Sequence, residues 1–168
     1  MNDKKEVTKA ARVLGPKDGV VMGGTGARSD RFMIDGKESG GGFALIEHTV
    51  PPHVLAGPLH RHAREDEYSF VLEGQLGALL GEEEVVAQAG DLVFKPRNQW
   101  HTFWNPGDVP TRILEIISPA GLEEFFRELG ALEGKFDPAT LPAFAARYGA
   151  EVDFERTFSI VERHRLKF

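Results

Sequence analysis

The 168-residue chain contains no cysteine, which excludes a disulfide framework, thiolate metal ligands, iron–sulfur clusters and a cysteine nucleophile. It also lacks any apolar run close to the roughly 18 residues of a membrane-spanning helix, and no apolar segment follows its early lysines. We therefore expect neither a membrane segment nor a secretory signal, and we predict a cytoplasmic protein. Positive charge is scarce as well. The 20 lysines and arginines against 26 aspartates and glutamates give a net charge of −6, which argues against nucleic acid as a partner.

Glycine and proline are plentiful, with 19 and 10 residues, and they separate short segments rich in β-branched and aromatic residues. This pattern over residues 20–119 predicts an all-β sandwich or barrel. The ten predicted strands are 20–22, 31–34, 43–49, 59–62, 68–72, 77–80, 84–87, 91–95, 102–105 and 111–117. Residues 1–19 are polar and show no sustained periodicity, so we predict an N-terminal arm there.

After Pro119 the apolar residues recur with a helical period. A first stripe consists of Leu122, Phe125, Phe126 and Leu129, and a second consists of Leu141, Phe144, Ala145 and Tyr148. Stripes of this kind bury one face of a helix against a neighbour. We therefore interpret residues 120–168 as C-terminal helices and a tail that pack on the barrel or against a partner subunit.

Two of the six histidines form the segment His60-Arg61-His62. Alternate side chains of a β-strand share a face, so His60 and His62 are expected to project the same way. A turn over residues 63–66 would bring Glu67 back toward them, and two imidazoles with one carboxylate suit Zn, Fe, Ni, Co or Mn. By itself the His-x-His pair is a weak signal, and the alternative is two partly exposed strand histidines.

The surroundings of this pair sharpen the signal, because they resemble the first sequence motif of the cupin family. That motif reads G-x5-H-x-H-x3–4-E-x6-G. The chain matches it with His60, His62, Glu67 and Gly74, and it departs from it at Val54, which occupies the place of the leading glycine.

The second cupin motif, G-x5-P-x-G-x2-H-x3-N, follows 15 residues later. Gly90, Pro96, His101 and Asn105 match it at the required spacings, and Asn98 replaces the inner glycine. Asparagine tolerates a left-handed backbone almost as well as glycine, so the turn should survive this replacement. The wider resemblance covers about half of the chain.

The resemblance implies a double-stranded β-helix, or jelly-roll, barrel with a C-terminal helical extension. It makes His60, His62, Glu67 and His101 the ligands of one divalent transition metal per chain, which could be Ni, Fe, Mn, Co, Cu or Zn. Three neutral imidazoles and one carboxylate would leave the ion a net charge of about +1 and open positions for water, dioxygen or substrate. Because cupins commonly exchange terminal strands, the resemblance also implies a homodimer.

Within the family, the segment from Pro58 to Gly74 and the C-terminal extension resemble the small bacterial quercetinase-like cupins. This resemblance implies a dioxygenase that opens the ring of a flavonol or a similar enediol-type substrate with O2. It makes Glu67 a general base as well as a ligand. Two alternatives stay open: a metal-dependent isomerase, lyase or decarboxylase acting on a small oxo-acid or sugar acid, and a non-enzymatic cupin that binds a small molecule.

If the ligands point inward, strand parity assigns further residues to the interior. The predicted pocket residues are Ser69, Val71, Gln99 and Phe103. Trp100 and Trp104 have the opposite parity and should face outward, toward the C-terminal helices or a subunit interface. We predict that His48 and His53 are surface or loop histidines.

Overall fold

The computed structural model describes residues 10–24, 28–132 and 138–168. Its strands are β1 Val20–Gly23, β2 Ser29–Ile34, β3 Ala44–Val50, β4 Leu59–His62, β5 Asp66–Glu73, β6 Gln75–Leu80, β7 Glu83–Gln88, β8 Leu92–Lys95, β9 His101–Trp104, β10 Thr111–Ser118 and β11 Ala150–Asp153. Its helices are α1 Gly36–Ser39, α2 Glu123–Ala131, α3 Leu141–Ala146 and α4 Phe154–His164, with a 3-10 turn at Pro138–Thr140. The all-β prediction is confirmed, and a strand lies at each of the ten predicted places. None of these helices combines the length and the apolarity needed to cross a bilayer.

The strands form two antiparallel sheets. One has the order β1-β2-β3-β10-β5-β8, and the other has the order β11-β4-β9-β6-β7. Apolar side chains from both sheets meet in a core cluster, and they are Val50, Val71, Leu76, Ala78, Ala87, Val93, Phe103 and Ile113. Two sheets that pack face to face in this way give the jelly-roll architecture that the sequence predicted.

Strand alternation determines which side chains enter the interior. On β3 the residues Ala44, Ile46, His48 and Val50 are almost completely buried, and on β10 the same holds for Thr111, Ile113, Glu115 and Ile117. The two strands are paired with Ile113 opposite His48. Each strand therefore carries one polar or ionisable side chain into a face that is otherwise mostly apolar.

The C-terminal part of the chain contributes a strand as well as helices. Strand β11 pairs with β4, with Ala150 opposite His62 and Val152 opposite His60. The predicted domain boundary after residue 119 therefore leaves out one strand of the five-stranded sheet. At the other end, residues 10–19 form neither strand nor helix, and the rest of the predicted arm, residues 1–9, lies outside the described residues.

Helices α4 and α2 pack on two different parts of the sandwich. Trp104 is 2% exposed and clusters with Leu59, Ile160 and Leu166, and its ring centroid lies 4.6 Å from that of His164. Helix α4 thus covers the outward tryptophan, as the parity argument predicted. Helix α2 places its apolar face in a second cluster, which contains Phe32, Ala44, Ile46, Ile117, Leu122 and Phe126.

Gly77 offers a test of the packing under α4. A Cβ atom on Gly77 would lie 2.4 Å from Nε1 and 2.5 Å from Cε2 of Trp104, which is shorter than any van der Waals contact. We expect Gly77→Ala to lower the free energy of unfolding by about 1–3 kcal/mol, the usual cost of overpacking. Urea unfolding measures this change. Gly57→Ala is the matched control, because a Cβ there meets no atom within 4 Å, and equal stability of the two variants would contradict the prediction.

Candidate metal centre

The four ligands implied by the cupin motifs come together in the structure. His60 and His62 lie on β4, Glu67 on β5 and His101 on β9, and each offers one ligand atom within 4.8 Å of the other three. The pairing of β4 with β9 places His60 opposite His101. His62, Glu67 and His101 are buried, and His60 is partly buried. The predicted ligand set is therefore one compact cluster that could hold a metal ion.

Backbone carbonyls orient two of the imidazoles. His60 Nδ1 lies 2.8 Å from the Pro58 carbonyl oxygen, and His101 Nδ1 lies 2.9 Å from the Gln99 carbonyl oxygen. A carbonyl oxygen can only accept a hydrogen bond, so the proton of each neutral ring is on Nδ1. Nε2 is then the unprotonated nitrogen that can bind a metal, an arrangement common among metal-binding histidines.

Buried polar atoms without partners test whether a metal fits here. Within the part of the chain that the structure describes, Nε2 of His62 and Nε2 of His101 are buried and make no hydrogen bond. Their distances to the nearer oxygen of Glu67 are 3.7 and 3.4 Å, too long for hydrogen bonds. Burying such atoms unsatisfied is costly. A divalent ion bound between them would satisfy both nitrogens, so the residues fit the metal that the motifs imply.

The pKa values of His60 and Glu67 favour the states that bind metals, whereas Glu67 and Glu65 raise the pKa of His62 against the effect of its burial. Burial, helped by the nearby His101, holds the pKa of His60 well below its usual range, so His60 is a neutral imidazole. For Glu67 burial acts in the opposite direction, but the positive charge of Lys95 and the nearby imidazoles of His101 and His62 outweigh it. The pKa of Glu67 is therefore held well below its usual range, and Glu67 is an anionic ligand. Its role as a general base stays a prediction.

A buried charge network supports Glu67. Lys95 is 1% exposed, and its Nζ lies 2.8 Å from Glu67 Oε2 and 3.0 Å from Glu115 Oε1. Ser69 Oγ donates a 2.6 Å hydrogen bond to Glu115, and Lys95 Nζ lies 4.8 Å from the ring centroid of Phe103. Lys95 thus fixes one oxygen of Glu67 while the other faces His62. The sequence analysis missed this network, although Lys95 and Glu115 both occupy interior positions of their strands.

The turn in the second motif has the predicted conformation. Asn98 has a φ of 64°, so asparagine indeed adopts the left-handed backbone at the place of the motif's glycine. Its N–H donates a 2.8 Å hydrogen bond to the carbonyl oxygen of His62. The turn that precedes His101 is thereby attached to the strand that carries two other ligands.

A cavity adjoins the cluster, and both His60 and Glu67 form part of its wall. Apolar side chains make up most of the remaining wall, and they include Phe103, Leu122, Phe125, Phe126, Leu129, Leu141 and Ala145. Helices α2 and α3 therefore form one side of the cavity and the sheets form the other. A ligand bound there would contact the metal centre at one end and aromatic or aliphatic side chains along its length.

The four predicted pocket residues lie in different places in the structure, and one of them lines the cavity. Phe103 lines the cavity, whereas Val71 lies in the apolar core and Ser69 is buried against Glu115. Gln99 is half-buried beside Gly81. Of these four residues, only Phe103 is part of the cavity wall, because side chains with inward parity also fill the apolar core and the charge network.

His48 is a cavity residue that the sequence analysis placed wrongly. It is 1% exposed and lines the cavity, and so it is not a surface histidine. The signal that could have identified it is the alternation along β3, where His48 continues the inward series of Ala44, Ile46 and Val50. His53, in contrast, is exposed and pairs with Asp108, as predicted.

Comparison with known proteins supports the fold. Residues 46–117 match the family model described as a cupin domain. The resemblance found in the two motifs is confirmed at this level.

Three known proteins are similar to this chain in sequence or in fold. The tetracenomycin polyketide synthase protein TcmJ of Streptomyces glaucescens is 37% identical over 60 residues, which are 36% of this chain and 40% of that protein. The match thus spans about two fifths of this relative. The polyketide cyclase RemF of Streptomyces resistomycificus has 23% identity and a TM-score of 0.56 over 65% of this chain and 80% of its own. KdgF from Halomonas sp. has 13% identity and a TM-score of 0.58 over 68% of this chain and 99% of its own.

Proposed function

We propose that this chain is a metal-dependent enzyme that performs acid–base chemistry, without consuming O2, on an aromatic substrate with neighbouring oxygen atoms. The observation that carries the proposal is the position of the ligand cluster. His60 and Glu67 belong both to the cluster and to the wall of the apolar cavity, so a molecule in the cavity would meet a bound metal directly.

The cavity wall favours a flat, largely apolar substrate. The rings of Phe103, Phe125 and Phe126 and the side chains of Leu122 and Leu129 supply apolar contact area. Besides the ligands, four polar side chains line the cavity, Arg28, His48, Thr102 and Glu115, and apolar side chains outnumber them. Phenols and aromatic β-diketones combine an apolar ring system with the paired oxygens that bind a divalent cation.

The identity to TcmJ supports the same substrate class. The name of that protein places it in polyketide synthesis, and polyketides are chains of alternating carbonyl groups that close to phenolic rings. An aromatic β-diketone is the simplest compound with this chemistry. We therefore infer that the substrate is a polyphenol or a polyketide-like β-diketone.

Different residues of the chain would hold the metal and orient the substrate. A divalent ion at the cluster would supply a Lewis acid for the substrate oxygens. Glu67, kept anionic by Lys95, would limit the net charge of the centre to about +1, which favours a singly charged enolate or phenolate oxygen. The phenylalanine rings would orient the substrate and exclude water from the reacting atoms.

A ring-opening dioxygenase of the quercetinase-like group is the second candidate. The observation that favours it is the ligand set, since three imidazoles and one carboxylate would leave an ion that takes six ligands with positions for a substrate oxygen and O2. A flavonol has the same flat shape and the same neighbouring oxygens as the substrates proposed above. The two candidates therefore differ in their use of O2 rather than in their binding site.

One experiment separates the candidates. Protein loaded separately with Zn, Ni, Mn, Fe, Co or Cu is incubated with ortho-hydroxydibenzoylmethane without oxygen, and ring closure to flavone is followed by absorbance. We expect closure faster than with metal-free protein. O2 uptake with quercetin, measured with an oxygen electrode, would instead favour the dioxygenase. If no metal form reacts in either assay, the proposal of an enzyme for this substrate class is wrong.

A further inference from the structure

The cavity contains a second polar group besides the metal ligands. His48 reaches it from β3 in the six-stranded sheet, whereas His60 reaches it from β4 in the five-stranded sheet. Nδ1 of His48 lies 2.7 Å from Oδ1 of Asp30, its partner in the pairing of β2 with β3. A histidine fixed by a carboxylate and facing a cavity is the arrangement that proton transfer requires.

Asp30 is kept anionic by its surroundings, and the anionic carboxylate orients His48. Arg28 Nε lies 2.8 Å from Asp30 Oδ1, and Arg28 Nη2 donates a 3.1 Å hydrogen bond to Oδ2. Burial raises the pKa of Asp30, but the charge of Arg28 and the hydrogen bonds from Arg28 and His48 outweigh burial and hold the pKa well below its usual range. An anionic Asp30 accepts the Nδ1–H of His48, which selects the tautomer whose lone pair is on Nε2.

The surroundings of His48 leave Nε2 available to a ligand. Its ring centroid lies 6.2 Å from that of Phe103 and 5.7 Å from that of Phe126, and Ile113 is its neighbour on β10. Among the described residues, Nε2 has no hydrogen-bond partner. The charged groups around the ring are Arg28 and Asp30 from the β2 side, and Glu115, which lines the same cavity from β10.

We propose that His48 is the catalytic base and acid of the proposed reaction and that Asp30 is its positioning residue. This inference rests on the proposed function, because it assigns a residue to that reaction. For the enol form of ortho-hydroxydibenzoylmethane, Nε2 takes the proton of the phenolic hydroxyl while the phenolic oxygen bonds to the enol carbon. The electron pair of the enol C=C bond moves to the neighbouring ketone, which becomes an enolate. The enolate then re-forms the C=C bond as the C–O bond to the hydroxyl breaks, and the imidazolium returns the same proton to that hydroxyl, which leaves as water.

The test begins with the turnover of three variants. His48→Asn keeps an amide N–H near the position of Nδ1, so Asp30 retains its donor while the cavity-facing nitrogen is lost. We expect its kcat for ring closure to fall by about 100-fold or more, the usual contribution of a positioned base, with unchanged metal content and Tm. The matched control is His53→Asn, because His53 also pairs with an aspartate but is exposed, and its kcat should stay within twofold. Asp30→Asn should also lower kcat. Without the carboxylate of Asp30, the proton of His48 is expected on Nε2, and this nitrogen can then no longer accept the proton of the substrate.

A second readout does not depend on turnover. Long-range proton–nitrogen NMR spectra of histidine-labelled protein report the tautomer of His48, which His48→Asn identifies by the missing signal. We expect Nε2 without a proton in the wild type, a proton on Nε2 in Asp30→Asn, and a shifted Nε2 signal when ortho-hydroxydibenzoylmethane binds the zinc-loaded protein.

The outcomes separate this inference from the proposed function. If the wild type turns over the diketone and His48→Asn retains its kcat within threefold, the inference is wrong and the proposed function stands. If the wild type is inactive, the proposed function fails, and with it the role of His48 in that reaction. If the wild type is active but Nε2 is protonated or does not shift with the probe, the role of His48 is overturned and the proposed function stands.

Discussion

The His101→Ala variant is expected to bind zinc, nickel or manganese at least about 100-fold more weakly than the wild type, because losing even a group that only orients a ligand costs 10–100-fold. His101 is one of four ligands, and its Nε2 makes no hydrogen bond among the described residues. Its side chain is therefore positioned for the metal. Competition with a chromophoric chelator measures the affinity, and elemental analysis measures the metal bound per chain.

The stability of the two proteins provides an independent check. A metal present at 100 times its Kd should stabilise the wild type by about 2.7 kcal/mol and the variant by much less. His53→Ala is the control, since His53 is exposed and lies outside the cluster, and it should respond to metal as the wild type does. Equal stabilisation of His101→Ala and the wild type would show that the cluster does not bind the metal.

The Lys95→Met variant is expected to lose about 3–5 kcal/mol of unfolding free energy in the absence of metal, the usual cost of breaking a buried ion pair. Methionine fills a similar volume but leaves Glu67 and Glu115 as two buried carboxylates without the cation between them. Urea unfolding of metal-free protein measures the loss. Lys17→Met is the control, because Lys17 is exposed, and it should change stability by less than about 0.5 kcal/mol.

Two further measurements test whether the loss of unfolding free energy in Lys95→Met arises from buried charge. Adding Glu115→Gln to Lys95→Met should recover part of the stability, since one of the two buried anions is removed. Metal should also stabilise Lys95→Met more than the wild type, because a divalent cation replaces the lost positive charge beside Glu67. If Lys95→Met unfolds at the same urea concentration as the wild type, the network does not stabilise the fold.

The sequence predicted the strands well because two local signals agreed. Glycine, proline and aspartate separate the segments, and alternation within each segment separates the buried face from the exposed one. Strand β11 escaped prediction, since Ala150–Asp153 is short, half polar and follows a helical stripe. It becomes a strand through its pairing with β4, which no local pattern reveals.

The four ligands could be predicted because their spacing is written along the chain in two motifs. The partners of those ligands could not, because Lys95 meets Glu67 and Glu115 only through the register of β5 with β8 and with β10. His48 was misplaced for a related reason: its role depends on a cavity that α2 and α3 complete from the far end of the chain. The homodimer and the cytoplasmic location stay predictions.

The pairing of β11 with β4 also has a consequence for how the protein is made. The salt bridge between Arg61 and Glu151 joins residues 90 positions apart, and the same pairing flanks His60 and His62. During synthesis both histidines leave the ribosome long before the strand that borders them. An ion captured early would therefore meet an unfinished site, and the final geometry can form only once strand β11 has also emerged.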